Sequence, residues 1–177
     1  MSKFVVTVAV FLCTLNWVKA KDSIAVHLFL LDDCVICQDL TPVMNELYEQ
    51  YGQDYPFIGY FPNFSSKQAG ITAFKEKYGI TFPVKTDYYK THSSKFGATV
   101  TPEVVVYNHS TEETIYKGRI NNKFYKLGRR RHVVTRHELA DVLAALAANK
   151  QPHTQNMEAI GCYINYSDAI SKHTISN

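Results

Sequence analysis

Two cysteines, Cys34 and Cys37, are the residues whose type and spacing most directly suggest chemistry. A separation of three positions lets their sulfur atoms form a disulfide bond, and such a bond can exchange partners with a thiol or a disulfide of another molecule. The same bond could instead be purely structural. The spacing alone does not decide between these interpretations, so the decision depends on the elements that position the pair.

The residues before Cys34 predict a strand, and those after it predict a helix. The run 24–31 is almost entirely apolar and contains β-branched and aromatic residues, which is typical of a strand buried on both faces. Behind Cys34, apolar side chains recur three and four positions apart as far as Tyr51, and Gly52 follows, which predicts an amphipathic helix. We therefore expect Cys34 at the N-terminus of this helix and Cys37 one turn further in.

A helix N-terminus favours a thiolate over a thiol, because unpaired amide donors and the helix dipole are both directed at that end. We therefore expect Cys34 to have a lowered pKa, to be reachable from solvent and to act as the nucleophile, with Cys37 less exposed and acting second. Asp32 and Asp33 oppose a thiolate nearby by like-charge repulsion, and the sequence leaves the net effect open.

The pattern of strands and helices continues to about residue 148. The further elements are, in chain order, a strand at 57–61, a helix capped by Ser65 or Ser66 that ends at Gly79, a short helix within 88–96, a hairpin of 104–107 and 114–117, and a helix whose capping box is Thr135 and Glu138. This order predicts an α/β sandwich, in which a central mixed sheet has helices on both faces. The segment 151–177 has little periodicity and is predicted to be a C-terminal tail.

The first twenty residues have the features of an export signal. A basic residue precedes an apolar run, and Ala20 supplies the small residue that signal peptidase needs. Thr14 and Asn16 interrupt the run, which is also short for a membrane anchor. We therefore predict a cleaved signal peptide at 1–20, a mature domain at 21–150, and an extracytoplasmic location, periplasmic or secreted, with membrane contact only before cleavage.

Charge and composition narrow the possible partners. Nineteen Lys and Arg residues against sixteen Asp and Glu residues give a net charge of +3, which is too small an excess to favour nucleic acid as a partner. The apolar content of 46% and the aromatic content of 13% are sufficient for a packed core. They exclude a wholly disordered chain.

Three stretches resemble parts of thioredoxin-like proteins. In 34–47, Pro42 stands five residues after the second cysteine, which resembles the first helix of that superfamily. The stretch 97–107 is similar to the family's Thr-Pro signature before the strand of the closing hairpin, and 116–118 resembles the glycine that follows the next strand. The resemblance covers about residues 24–148, with the parts in the right order.

This resemblance implies a thioredoxin-like sandwich and the function of an exported redoxin-type thiol–disulfide oxidoreductase. It implies that Cys34 and Cys37 are catalytic, that Pro102 is cis and faces them, and that Thr101 and Pro102 bind the substrate through the backbone. We expect neither a cofactor nor a metal ion. The expected partners are a disulfide or thiol substrate, either a protein or a small molecule, and a redox partner that recycles the enzyme.

The sequence also departs from that superfamily at several positions. Asp33 stands where thioredoxins have Trp, and 35–36 is Val-Ile instead of Gly-Pro. Leu28 occupies the position of the buried acidic residue, so the usual proton acceptor is missing there. Peroxiredoxins have Thr or Ser where this chain has Leu31, which makes thiol peroxidase an alternative function rather than the leading one.

Cys162 leaves an odd number of cysteines after cleavage. It lies in Gly161-Cys-Tyr-Ile164, which is similar to the C-terminal part of a group of bacterial redoxin-domain proteins. Cys162 could resolve a mixed disulfide with Cys34 or Cys37, or it could be a free or intermolecular thiol in a mobile tail. The sequence leaves both possibilities open.

Two other functions are also alternatives. A copper chaperone would bind Cu(I) through Cys34, Cys37 and a histidine, although the seven histidines show no ligand spacing. A redox-inert binding domain would use the disulfide as a structural bond and the basic residues 129–131 as a contact surface.

Overall fold

The structure is a computed structural model that describes residues 23–153 and 155–168. The predicted signal peptide at 1–20 lies outside the described residues, as does the end of the predicted tail at 169–177. Within the described residues, no helix is both long enough and apolar enough to cross a bilayer.

Nine strands and four α-helices lie within these residues. The strands are β1 (Ile24–Phe29), β2 (Phe57–Phe61), β3 (Val84–Thr86), β4 (Val100–Thr101), β5 (Glu103–Asn108), β6 (Glu113–Gly118), β7 (Phe124–Lys126), β8 (Arg129–Arg130) and β9 (Cys162–Tyr163). The helices are α1 (Val35–Tyr51), α2 (Gln68–Tyr78), α3 (Thr91–Phe96) and α4 (Glu138–Ala147).

Five of the strands form a mixed central sheet in the order β3-β2-β1-β5-β6. Strands β1, β2 and β3 run parallel, whereas β5 is antiparallel to β1 and β6 is antiparallel to β5. All six residues of β1 are buried, as expected for a central strand that is covered on both faces. The predicted α/β sandwich with a mixed sheet is confirmed.

Buried side chains form a cluster on each face of the sheet. One cluster joins Val26 and Leu28 of β1 to apolar residues of α1, α2 and α4. The other joins Phe29 of β1 to Phe96 of α3 and to Ile164 near the C-terminus. Helices therefore cover both faces, and part of the predicted tail completes the second core.

The predicted cap of α2 is wrong. This helix begins after Lys67 and has no side-chain cap. Ser66 instead donates a hydrogen bond from its hydroxyl to the Asp32 carboxylate. A charged acceptor makes a stronger hydrogen bond than a neutral one, which accounts for the choice of partner.

The predicted capping box of α4 is also wrong. The helix begins after His137, and Thr135 accepts a hydrogen bond from the Asn122 side chain, with 2.8 Å between Nδ2 and Oγ1. The Glu138 carboxylate pairs with the guanidinium of Arg119. An ion pair of this kind is stronger than the reciprocal bond to a backbone amide that a capping box requires.

Two regions that were predicted without regular structure contain short strands. Strands β7 and β8 form a hairpin that includes two of the three arginines at 129–131. Strand β9 lies in the predicted tail and pairs with β4. Strands of two or three residues are too short to show an alternating pattern, so the sequence provides no signal for them.

Candidate redox site

Cys34 and Cys37 lie at the start of α1, where the sequence predicts them. Cys34 is the N-cap residue, with an extended backbone at φ −83° and ψ 113°, and Cys37 lies in the first turn. The amide of Gln38 donates to the carbonyl of Cys34 over 3.0 Å, which begins the hydrogen-bond series of the helix. The junction between β1 and α1 therefore positions both sulfur atoms.

Both of these cysteines are buried, which differs from the expectation for Cys34. Cys34 is 1% exposed and Cys37 is fully buried. The sulfur of Cys162 lies 2.8 Å from the sulfur of Cys34, and Cys162 itself is partly exposed. No disulfide joins any two of these three cysteines, and Cys162 and its segment cover Cys34.

Hydrogen bonding and burial shift the pKa values of the three thiols in opposite directions. The Cys37 thiol donates a hydrogen bond that lowers the pKa of Cys34 to about 5, and Cys162 and the backbone amides of Cys37 and Ile36 add to this effect, against the opposing effect of burial. Burial raises the pKa of Cys37. Burial, the hydrogen bond to Cys34 and the charge of Asp33 raise the pKa of Cys162 to about 12.

Cys34 is therefore the thiolate of the group, and the other two thiols donate to it. The helix N-terminus contributes to this state, as expected, but the donor thiols contribute more. The expected repulsion by Asp33 acts on Cys162 instead. The sequence left open whether Cys162 approaches Cys34, and the structure places the two sulfurs side by side. Its role as a hydrogen-bond donor was not foreseen, because the distance depends on the tertiary structure.

The Thr101–Pro102 peptide bond is cis, as the resemblance implies. The sulfur of Cys34 lies 3.4 Å from the carbonyl oxygen of Thr101, and both residues of this peptide are buried. A protonated Cys34 can donate to this carbonyl. The structure thus brings the predicted substrate-binding residues to the predicted nucleophile.

The C-terminal segment occupies the backbone edge at Thr101. Strand β9 is antiparallel to β4, with Cys162 opposite Thr101. The Thr101 hydroxyl donates to the carbonyl of Cys162 over 3.3 Å, and the amide of Ile164 donates to the carbonyl of Thr99 over 3.0 Å. A side chain at Gly161 would have its Cβ 2.1 Å from the Thr101 carbonyl oxygen, so glycine is required for this approach.

Asn63 holds the same segment from the opposite side. Its Nδ2 donates to the carbonyl of Tyr163 over 3.0 Å, and its Oδ1 accepts from the amide of Asn165 over 2.9 Å. Asn63 is buried, and the sequence gives no signal for its role in holding this segment, because its partners lie about a hundred positions away.

The segment also contacts the end of β6. The amide of Arg119 donates to the carbonyl of Met157 over 3.0 Å. Gly118 has φ +149°, and a Cβ there would lie 1.9 Å from the same carbonyl oxygen. The described part of the predicted tail is therefore packed against the domain, from Met157 to beyond Ile164.

A metal site is not apparent among residues 23–153 and 155–168. Within these ranges, no group of three or more His, Cys, Asp or Glu side chains is arranged to hold a metal ion.

Comparisons with known proteins concern the fold. No protein-family model and no curated protein match the sequence. A hypothetical protein from Sinorhizobium meliloti 1021 is 22% identical, with a TM-score of 0.69, over 82% of this chain and 81% of that one. An uncharacterized conserved protein from Geobacillus kaustophilus is 18% identical, with a TM-score of 0.70, over 82% of this chain and 78% of that one.

A third similar structure is a candidate thiol:disulfide interchange protein, DsbE, from Chlorobium tepidum. It is 14% identical, with a TM-score of 0.51, over 73% of this chain and 81% of that one. At these identities the likeness extends to the fold and no further. The mixed sheet, the cysteine pair at the start of α1 and these similar structures together show that the chain has the thioredoxin-like fold.

Proposed function

We propose that this protein is an exported thiol–disulfide oxidoreductase that exchanges disulfides through Cys34 and Cys37. The observation that carries the proposal is the position of Cys34. It begins α1, it accepts hydrogen bonds from two other thiols, and its sulfur lies 3.4 Å from the carbonyl oxygen that precedes Pro102. The hydrogen bonds from the two thiols stabilise the Cys34 thiolate, and a thiolate with a lowered pKa is ionised at neutral pH and is a good leaving group.

The reaction uses the two cysteines in turn. The Cys34 thiolate attacks one sulfur of a substrate disulfide, so that a mixed disulfide forms and the other substrate sulfur leaves as a thiolate. Cys37 then loses its proton to water and attacks the sulfur of Cys34, which forms the Cys34–Cys37 disulfide and releases the second substrate sulfur as a thiolate. Two electrons pass to the substrate, and a recycling dithiol restores the pair. The reverse sequence oxidises a dithiol.

The raised pKa of Cys37 suits its place as the second nucleophile. Burial and the neighbouring Cys34 keep it protonated while Cys34 is a thiolate. Once Cys34 is bonded to a substrate, its negative charge is gone, and deprotonation of Cys37 becomes easier. The order of attack therefore follows from the charges at the site.

Export is the part of the proposal that rests on the sequence. The basic residue, the interrupted apolar run and Ala20 are the features of a cleaved signal. In an extracytoplasmic compartment disulfides form and persist, which provides substrates for such an enzyme. The name of the similar structure from Chlorobium tepidum agrees with the proposed reaction.

The test is the reduction of insulin disulfides by the mature protein, with a dithiol as the recycling partner. The Cys34→Ser variant should be inactive, and Cys37→Ser combined with Cys162→Ser, which removes both thiols next to Cys34, should accumulate a mixed disulfide on Cys34 that mass spectrometry can detect. Gln50→Ala, which changes an exposed side chain near the far end of α1, is the matched control and should keep the wild-type rate.

Two results would reject this function. One is an inactive wild-type protein that is folded and has a recycling partner. The other is a Cys34–Cys37 disulfide that does not exchange with glutathione, which is the behaviour of a structural bond.

A further inference from the structure

Cys162 is the one of the three described cysteines that an external molecule reaches first. Of the three cysteines that the structure describes, it alone is partly exposed, whereas Cys34 is 1% exposed and Cys37 is fully buried. With the C-terminal segment in this position, a protein or a bulky thiol has no open approach to Cys34. A route between the buried pair and an external partner therefore has to include Cys162 or to displace its segment.

The distance between the sulfurs suits a direct exchange. The sulfur atoms of Cys34 and Cys162 are 2.8 Å apart, compared with about 2.05 Å in a disulfide bond. The pairing of β9 with β4 sets this distance, because it places Cys162 opposite Thr101, whose carbonyl also contacts Cys34. A small movement of two side chains is enough to bond these sulfurs.

Several contacts keep the segment in place. Asn63 makes two hydrogen bonds to its backbone, and Ile164 is buried in the second core cluster. The hydroxyl of Tyr166 donates to the carbonyl of Ala98, and the carbonyl of Met157 accepts from the amide that follows β6. Displacement would break all of these contacts together, so exchange with the segment docked is the easier route.

We propose that Cys162 passes disulfides between external partners and Cys34, so that Cys34–Cys162 is the pair that partners meet and Cys34–Cys37 is an internal pair. This inference rests on the oxidoreductase function proposed above, and it replaces the direct reaction of Cys34 with the external partner by entry at Cys162, which then exchanges with Cys34. It also assigns a role to the C-terminal segment, which holds that sulfur against the nucleophile.

The exchange steps can oxidise a partner dithiol to a disulfide. From the Cys34–Cys37 disulfide, Cys162 loses its proton to water and attacks Cys34, and Cys37 leaves and takes up a proton. A partner thiolate then attacks the sulfur of Cys162, and Cys34 leaves as a thiolate. The second partner thiolate attacks the first partner sulfur, which releases Cys162 and completes the partner disulfide. A disulfide-bearing partner restores the starting state by the reverse steps.

The charges at the site support attack on Cys162 rather than on Cys34. When an external thiolate attacks Cys162, the group that leaves is Cys34, whose lowered pKa makes it the better leaving group. Attack on Cys34 would instead expel Cys162, whose pKa is raised to about 12. Exposure and leaving-group ability therefore favour the same sulfur.

The direct test maps where glutathione attaches. The Cys37→Ser variant is oxidised with diamide, exposed briefly to reduced glutathione, quenched with acid and alkylated, and its peptides are identified by mass spectrometry. We expect an intramolecular Cys34–Cys162 disulfide first, and then glutathione on Cys162 with the alkyl label on Cys34. Glutathione on Cys34, or no Cys34–Cys162 disulfide, would overturn the proposal.

A rate measurement separates this inference from the function on which it rests. In the otherwise wild-type protein, Cys162→Ser should slow reduction of the Cys34–Cys37 disulfide by glutathione by about tenfold or more, because the accessible sulfur is lost. An unchanged or faster rate rejects only the role of Cys162, since the segment then acts as a cover. No exchange in the wild-type protein rejects the function itself.

A third variant tests the docking of the segment with every cysteine retained. In the Cys37→Ser background, Gly161→Ala introduces a Cβ that would lie 2.1 Å from the Thr101 carbonyl oxygen. The fraction that forms the Cys34–Cys162 disulfide should fall. Tyr163→Ala, on the other side of Cys162 and 77% exposed, is the matched control and should keep that fraction. Equal fractions in both variants would contradict the proposal.

Discussion

Burial has opposite outcomes in two groups of ionisable side chains in the described part of the protein. In the redox site, the buried Cys34 has a lowered pKa and is a thiolate. In the second group, which is centred on His27 of β1, burial lowers the pKa of the imidazole to about 3, so the side chain is neutral. One group therefore holds a charge, and the other excludes it.

The difference lies in the hydrogen-bond partners. Cys34 accepts from thiols and backbone amides, and these donors favour the charged form. His27 is surrounded by aromatic and basic groups, since its ring lies 4.3 Å from that of Phe96, its Nε2 is 3.2 Å from Nε2 of His109, and its Nδ1 is 3.3 Å from the Tyr60 hydroxyl. His109 and Lys95 add repulsion to a protonated ring. Burial alone thus does not create a reactive group; donors to the charged form do.

The largest effect that we expect concerns His27 and the stability of the fold. Its folded pKa of about 3 lies below the ordinary value of 6.5, so the unfolded chain binds more protons below pH 6.5. The contribution of His27 to the free energy of unfolding should therefore be fully present above pH 6.5, and it should decrease as the pH falls toward 3. At about 1.4 kcal/mol per pH unit, the maximal loss from this residue is roughly 5 kcal/mol.

Urea unfolding at several pH values would measure this loss. The His27→Phe variant should show a flatter decline than the wild type, because the group that gains a proton on unfolding is absent. The exposed His132 provides the matched control, and its replacement by Phe should leave the decline as it is. Parallel declines in the wild type and His27→Phe would show that the neutral state of His27 is not what links stability to pH.

An intermediate effect is expected at Asn63, which fastens the C-terminal segment to the redox site. Asn63→Ala removes two hydrogen bonds and should lower the free energy of unfolding by about 1–3 kcal/mol. The amides of Ile164 and Asn165 should exchange hydrogen faster, since the first is bonded to Thr99 and the second to Asn63. Hydrogen exchange measured by NMR or mass spectrometry is the appropriate check.

Asn45→Ala is the matched control for that prediction. Asn45 donates from its side-chain amide to the carbonyl of Tyr78 over 2.9 Å, away from the C-terminal segment. Its loss should lower stability without a selective effect on exchange at 164–165. If both variants accelerate hydrogen exchange at 164–165 equally, then exchange there depends on the stability of the whole domain and not on the hydrogen bonds of Asn63.

The smallest effect is expected at the donors to Cys34. Because the hydrogen bond from Cys37 is the largest cause of the lowered pKa, Cys37→Ala should raise the pKa of Cys34. Cys162→Ala should raise it less, since that bond contributes less. A rise of one unit in the pKa of Cys34 corresponds to a loss of about 1.4 kcal/mol in the stabilisation of its thiolate relative to its thiol. Ultraviolet absorbance of the thiolate, followed against pH, gives both values, and the opposite ranking would contradict the prediction.

The sequence predicts most of the central fold because the information for it is local. The apolar run of β1, the helical spacing behind Cys34 and the two runs of the β5–β6 hairpin each lie within a short stretch of chain. Caps are less predictable, because a polar side chain chooses among partners that are distant in sequence. Thr135 bonded to Asn122 and Glu138 bonded to Arg119 are examples.

By itself, the sequence determined that Cys34 and Cys37 lie together at a junction between a strand and a helix, since three positions of spacing and the change of period are properties of neighbouring residues. Only the tertiary structure decided that Cys162, which is 128 positions away, completes the group. The physical reason is that β4 and β9 associate through backbone hydrogen bonds and the absence of a side chain at Gly161. Backbone pairing of this kind leaves almost no pattern in the side chains, so the sequence does not reveal it. The burial of Cys34 is a consequence of this pairing.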